Sequence, residues 1–242
     1  EGYGLVINES LVDAKEISTF DGLMNYIKKT ANSGINPLGL SEGTYFLIGH
    51  ILNAPFAVMD NPEQFIHDYE NGDIKLRDQE SFQQFALLME AIRSYCANPL
   101  EINYDKSCGD FATGKTAMIH QGNWIYSMFA SYDIDFDMSI APVPLLDNDA
   151  LSISVPYYWV VNSQVPAEQQ EAAIKCLDGL YTSEKRMDYV LNEFLFVPAT
   201  SNISSDTLDP LSASVAKAAG EGRAMIWATS YWPMNIVDTD FQ

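Results

Sequence analysis

Basic residues are scarce: 13 Lys and Arg face 33 Asp and Glu, a net charge of −20 over 242 residues. Such a chain repels phosphate, which argues against nucleic acid as a partner and against anionic membrane surfaces, and suits a neutral or cationic ligand. Cysteine is scarcer still. Cys96, Cys108 and Cys176 are odd in number and too sparse for a disulfide framework; Cys96 and Cys108 are close enough in sequence to pair but read as buried free thiols. No window approaches the roughly 18 uncharged apolar residues of a spanning helix. No signal peptide is visible, and Glu1 is not a natural first residue, so a processed or trimmed chain is expected. His50, His67 and His120 are scattered, with no H-E-x-x-H and no C-x-x-C, so no metal site is expected. Neither G-x-G-x-x-G nor a Walker pattern occurs, so no nucleotide cofactor is expected.

Apolar residues make up 47% and aromatics 12%, enough to bury the core of one large domain or two small ones. Helical spacing predicts elements from Phe20, behind Ser18 and Thr19 with Asp21 as in a capping box, and from Asn61-Pro62-Glu63 to Asn71-Gly72. Further helices are predicted for 81–96, 166–181 and onward from Ser183, and one after Ser41. Short strands are predicted at Tyr3–Ile7, Thr116–His120, Met138–Val143, Tyr157–Val161 and Phe196–Pro198. Helices separating short strands indicate an α/β architecture. The polar stretches 147–149 and 202–209 read as crossings between lobes.

Three patterns could carry chemistry. Gly39-Leu40-Ser41-Glu42-Gly43 matches the nucleophile elbow G-x-S-x-G, with His67 or His120 as the partner base. Asn36-Pro37-Leu38 is a poor central strand before it, and few residues precede it, so Ser41 reads as a helix cap. Asp133, Asp135 and Asp137 have calcium-loop spacing, but Met138 and Pro144 stand where Gly and Glu are required. They read as the solvated face of a turn. With 33 acids, a glycosidase carboxylate pair has no distinguishing spacing. A secreted hydrolase, esterase-like or glycosidase, is therefore the alternative reading.

The aromatics are more informative. Gly122-Asn123-Trp124, Pro156-Tyr157-Tyr158-Trp159 and Ser230-Tyr231-Trp232-Pro233 put aromatic rings at element ends, where binding residues concentrate. A flat ring suits the C–H face of a sugar, with Asn and Glu groups nearby for its hydroxyls.

The segment FATGKTAMIHQGNW, from Phe111 to Trp124, resembles the signature of the extracellular solute-binding proteins of ABC sugar importers, the maltose-binding protein family. The pattern is a Phe, a Gly-Lys pair, an Ala-Met strand, then Gly-x-Trp. YENGDIK at 69–75 with the following helix, Glu1 to Leu11, and Ser183-Glu184 followed by Val197-Pro198-Ala199 are similar to other family segments. The resemblance implies a periplasmic-binding-protein-like two-lobe clamp lacking most of its N-terminal lobe. Residues 1–151 would form mostly the second lobe, 152–195 would return to the first, and 196–242 would come back to the second.

The implied function is capture of a sugar or oligosaccharide and delivery to the transmembrane subunits of an ABC permease. It implies no catalysis, no cofactor and no nucleic acid. The expected protein is a monomer when full length, extracellular, a cell-surface lipoprotein or periplasmic. By the same resemblance Trp124 stacks on sugar, Tyr45 and Phe46 line the cleft, and Trp232 with Tyr231 matches a second stacking pair. Glu1 falls where a cleft acid sits. Gly43 replaces a second acid, with Glu42 adjacent. Tyr157 and Tyr158 replace small residues and reshape the cleft, and Asn123 completes the expected ligand-binding set.

Overall fold

The computed structural model describes residues 1–41, 45–194, 196–197 and 207–232, without the side chains of residues 45–48. Strand β1 (Gly2–Asn8) is the centre of a six-stranded mixed sheet. It pairs antiparallel with β3 (Thr116–Gly122) along one edge, with Tyr3 opposite Gly122 and Ile7 opposite Met118. Its other edge is shared by β4 (Met138–Ala141), opposite Leu5 to Asn8, and β5 (Leu151–Ile153), opposite Gly2 and Tyr3. Strand β2 (Asn36–Gly39) adds in parallel outside β3, and β6 (Ala224–Met225) outside β5.

All seven residues of β1 are buried, because helices cover both faces of the sheet. The period of two sorts them. Leu5 and Ile7 pack with Leu23 and Ile27 of α1 (Phe20–Thr30) and Leu88 and Ile92 of α4 (Glu80–Tyr95). Val6 points the other way, into a cluster with Phe111 of α5 (Tyr104–Ala112) and Leu211 and Val215 of α8 (Pro210–Gly220). A third cluster joins Phe56 of α2 (Tyr45–Ala57), Ile66 of α3 (Pro62–Glu70) and Trp232. The expected α/β class is therefore observed as a three-layer sandwich.

Local chemistry places several boundaries as expected. Asn61 caps α3 through its side chain, and Gly72, at φ +78, follows its end. Other expectations need correction. The cap of α1 is Thr19, whose hydroxyl accepts from Gly22 N at 3.1 Å, whereas Ser18 turns back to Lys15 O. Asn36–Gly39 is a strand after all. At the sheet edge Pro37 removes no ladder bond that matters. Tyr157–Val161 makes no strand and has no regular structure, and the described part of Phe196–Pro198, Phe196 and Val197, is also outside any strand. The 147–149 stretch links β4 to β5 within one sheet, and Asp147 Oδ1 accepts from Phe20 N at 2.9 Å at the start of α1. It is a tie, not a crossing between lobes. Beyond Ile153 the chain leaves the sheet. Helix α6 (Ala167–Thr182) has no buried residue and packs chiefly on α7 (Glu184–Asp188), which runs into a π-helical turn at Tyr189–Glu193.

Candidate functional site

Two cavities border the sheet. One, about 410 Å³ and beside β4 and α8, is lined by Glu9, Ser139, Pro144, Asp149, Lys217 and Arg223 among others, with no aromatic ring among its lining residues. The one beside Glu1, about 690 Å³, has many. Its wall is built from Glu1 before β1 and from Asn123 and Trp124 just past β3. The exit of β5 adds Val155, Pro156, Tyr157, Tyr158 and Trp159. Tyr181 at the end of α6 and Val190, Glu193, Phe194 and Phe196 around the π-helical turn also line it. Tyr157 and Tyr158 are 74% and 76% exposed, and Trp159 Nε1 donates to the Tyr181 hydroxyl at 2.9 Å. Burial pushes the Glu1 carboxyl above its usual range.

Trp124 is half-buried and fixed. Its Nε1 donates to Gln121 Oε1 at 3.2 Å, and the His50 ring lies 5.2 Å away. Behind it Tyr3 stacks on His50 at 4.9 Å and meets His120 at 5.7 Å, Trp227 at 5.3 Å and Trp124 at 6.1 Å. Burial lowers the His50 pKa to about 4. Burial and then the charge of His50 lower that of His120 to about 3. Both imidazoles are neutral at physiological pH. The backing of the site is thus an uncharged box of polar-tipped rings. His120 Nε2, Gln121 Nε2 and Trp227 Nε1 have no hydrogen-bond partner among the described residues.

The fold brings Trp124, Glu1, Asn123, Tyr157 and Tyr158 to one cavity, as five members of the expected set. Asn123 is there as a brace: its Oδ1 accepts from Gly2 N at 3.0 Å and its Nδ2 donates to Ser212 Oγ at 3.1 Å, both buried. Trp232 is not at this wall. It is buried against Phe56, with ring centroids 5.1 Å apart, and Tyr231, beside it, does not line the cavity. Glu42 and the side chains of Tyr45 and Phe46 lie outside the described residues. Sequence reasoning left out Trp159, Tyr181, Phe194 and Phe196 of the wall and the Tyr3–His50–Trp227 backing. Trp159 carried a signal, adjacent to Tyr157-Tyr158. The others carried none, since their convergence depends on the path of α6 and α7.

Other candidate chemistry is not assembled. Ser41 is buried, and among the described residues its Oγ has no hydrogen-bond partner, neither a cap bond nor a base. Ser41→Ala should leave stability within about 1 kcal/mol. A fluorophosphonate probe should fail to label Ser41, and labelling, read by mass spectrometry, would count against this arrangement. Asp133, Asp135 and Asp137 are exposed on the approach to β4, and no group of three potential metal ligands occurs among the described residues. The three thiols are free. Burial raises Cys96, which is half-buried, to about 11 and the buried Cys108 to about 12, and Cys176 is exposed on α6. No helix among the described residues is long and apolar enough to cross a membrane.

Comparison with solved structures finds the same fold in sugar-binding proteins. The chain is similar to RafE from Streptococcus pneumoniae in its apo form, with TM-score 0.71 and 18% identity over 98% of this chain and 65% of that one. It is similar to a sugar transporter from Bacillus licheniformis in complex with stachyose, with TM-score 0.68 and 16% identity over 98% and 64%. It is also similar to the binding protein MsmE of Bacillus subtilis in an open conformation, with TM-score 0.76 and 14% identity over 98% and 62%. The chain thus spans less than two thirds of the length of each. Comparison with curated protein sequences found no significant match. The model of the bacterial extracellular solute-binding proteins matches residues 1–219, and the chain belongs to that family.

Proposed function

We propose that this chain binds a neutral sugar or oligosaccharide as the carbohydrate-binding component of an ABC importer and hands it to the permease subunits. The observation that carries the reading is the aromatic wall around Trp124, backed by neutral imidazoles. Rings offer stacking faces to sugar C–H groups, and the Glu1 and Glu193 carboxylates offer acceptors for hydroxyls. A box without fixed positive charge favours an uncharged ligand over an anion. In this reading the protein is no enzyme: it releases the ligand unchanged, and Ser41 does no chemistry. Residues 1–151 and 196–242 serve the second lobe. Of residues 152–195, those beyond Ile153, where β5 ends, belong to the first, which accords with the exposed Tyr157–Val160 stretch and the unburied face of α6.

RafE has been solved with raffinose and the Bacillus licheniformis protein with stachyose, which makes these sugars the natural probes. Titration calorimetry of the protein with raffinose, stachyose and chitin oligosaccharides should give saturable binding to at least one, with a change in Trp fluorescence. Chromatography of the recovered sugar should find it intact. No binding to any neutral oligosaccharide, or recovery of cleaved product, would overturn the proposal.

A further inference from the structure

Gly122 closes β3 with φ −114 and ψ 178, extended backbone that any residue adopts. The backbone therefore does not require glycine there. The neighbouring ring does. A Cβ at residue 122 would lie 2.2, 2.4 and 2.5 Å from Cζ3, Cη2 and Cε3 of Trp124, so the indole lies flat in the notch that the missing side chain leaves. Gln121 holds the indole nitrogen, and His50 and Tyr3 pack on the ring. Trp124 also borders the 690 Å³ cavity.

We propose that Gly122 is a positioning residue for the sugar-stacking face: its missing side chain sets how deeply the Trp124 ring sits, and Gln121 sets the ring's rotation. The inference rests on the sugar-binding reading above. Carbon atoms in contact need about 3.5–4 Å, so a methyl group at residue 122 pushes the ring away by on the order of 1–2 Å. That displacement breaks the bond to Gln121 and takes the stacking face out of register with the ligand.

The test is a cycle of Gly122→Ala, Trp124→Ala and the double variant, with raffinose and stachyose as probes. Gly122→Ala alone should weaken binding about tenfold, the scale of a forfeited ring contact. With alanine already at 124 it should change affinity by less than about twofold, because the group it acts through is gone. Near-ultraviolet circular dichroism without ligand should lose the Trp124 band in Gly122→Ala as it does in Trp124→Ala. Gln121→Ala, which leaves the notch open, should show the same dependence on Trp124 and decides the matter if Gly122→Ala fails to fold. Unchanged affinity and an unchanged dichroism band in Gly122→Ala, or equal losses with and without Trp124, would overturn the inference. If the parent protein binds no sugar, the functional reading falls, while the dichroism cycle still decides whether Gly122 sets the ring.

Discussion

Replacing Trp124 by alanine is expected to weaken sugar binding by about 1–3 kcal/mol, roughly 5- to 150-fold. The ring is half-buried at the cavity wall, held by Gln121 and backed by His50. Its position is set before any ligand arrives, so little ordering cost is subtracted from the stacking energy. Trp232→Ala makes the contrast. That ring is 9% exposed and packs on Phe56, so its loss should lower stability by about 3–5 kcal/mol and leave the stacking wall in place. Calorimetric titration and urea unfolding of both variants separate the two roles. Unchanged affinity in Trp124→Ala would remove that ring from the site.

Asn53→Ala should destabilise the fold by about 2–5 kcal/mol. Asn53 is fully buried on α2. Its Nδ2 donates to Ser152 Oγ at 3.0 Å, and its Oδ1 accepts from Ala228 N at 2.6 Å. One side chain thus ties α2 to β5 and to the turn beyond β6. Alanine leaves the buried Ala228 N–H without its partner and takes one bond from the Ser152 hydroxyl, and a buried donor left unpaired costs about 1–3 kcal/mol. The same turn carries Trp227, which packs on Tyr3 behind the site, so sugar affinity should fall as well. Urea unfolding followed by far-ultraviolet circular dichroism measures the first effect. A midpoint equal to that of the parent would show that another group supplies those bonds.

Much of the fold was legible in local chemistry. Asn61-Pro62 and Asn71-Gly72 bracket α3 because capping and left-handed backbone are one-residue properties. The short apolar runs in Tyr3–Ile7 and Thr116–His120 mark strands buried on both faces. Tyr157–Val161 carries an equally strong strand pattern, yet no neighbouring strand among the described residues pairs with it, and a strand exists only as part of a ladder. Asn36–Gly39 is the reverse case, a weak local pattern made into a strand by the edge β3 offers it.

By itself, the sequence determined what depends on residues close along the chain. That includes the charge of −20, the helix caps, the short apolar strand runs, and the Phe111–Trp124 segment that resembles the family signature and puts a tryptophan at a strand end. Only the tertiary structure decided which aromatics share a wall with Trp124. Trp232 looks like Trp124 in sequence but is drawn into a core with Phe56, while Tyr3, His50 and Trp227 close behind the Trp124 ring. Asn123, read as a ligand contact, lines the cavity and also holds Gly2 and Ser212. The physical reason is the same in each instance. A side chain's burial and partners are set by elements far along the chain, from 47 residues away for Tyr3 and His50 to 224 for Tyr3 and Trp227, and no local pattern of hydrophobicity or turn chemistry encodes which of them arrive.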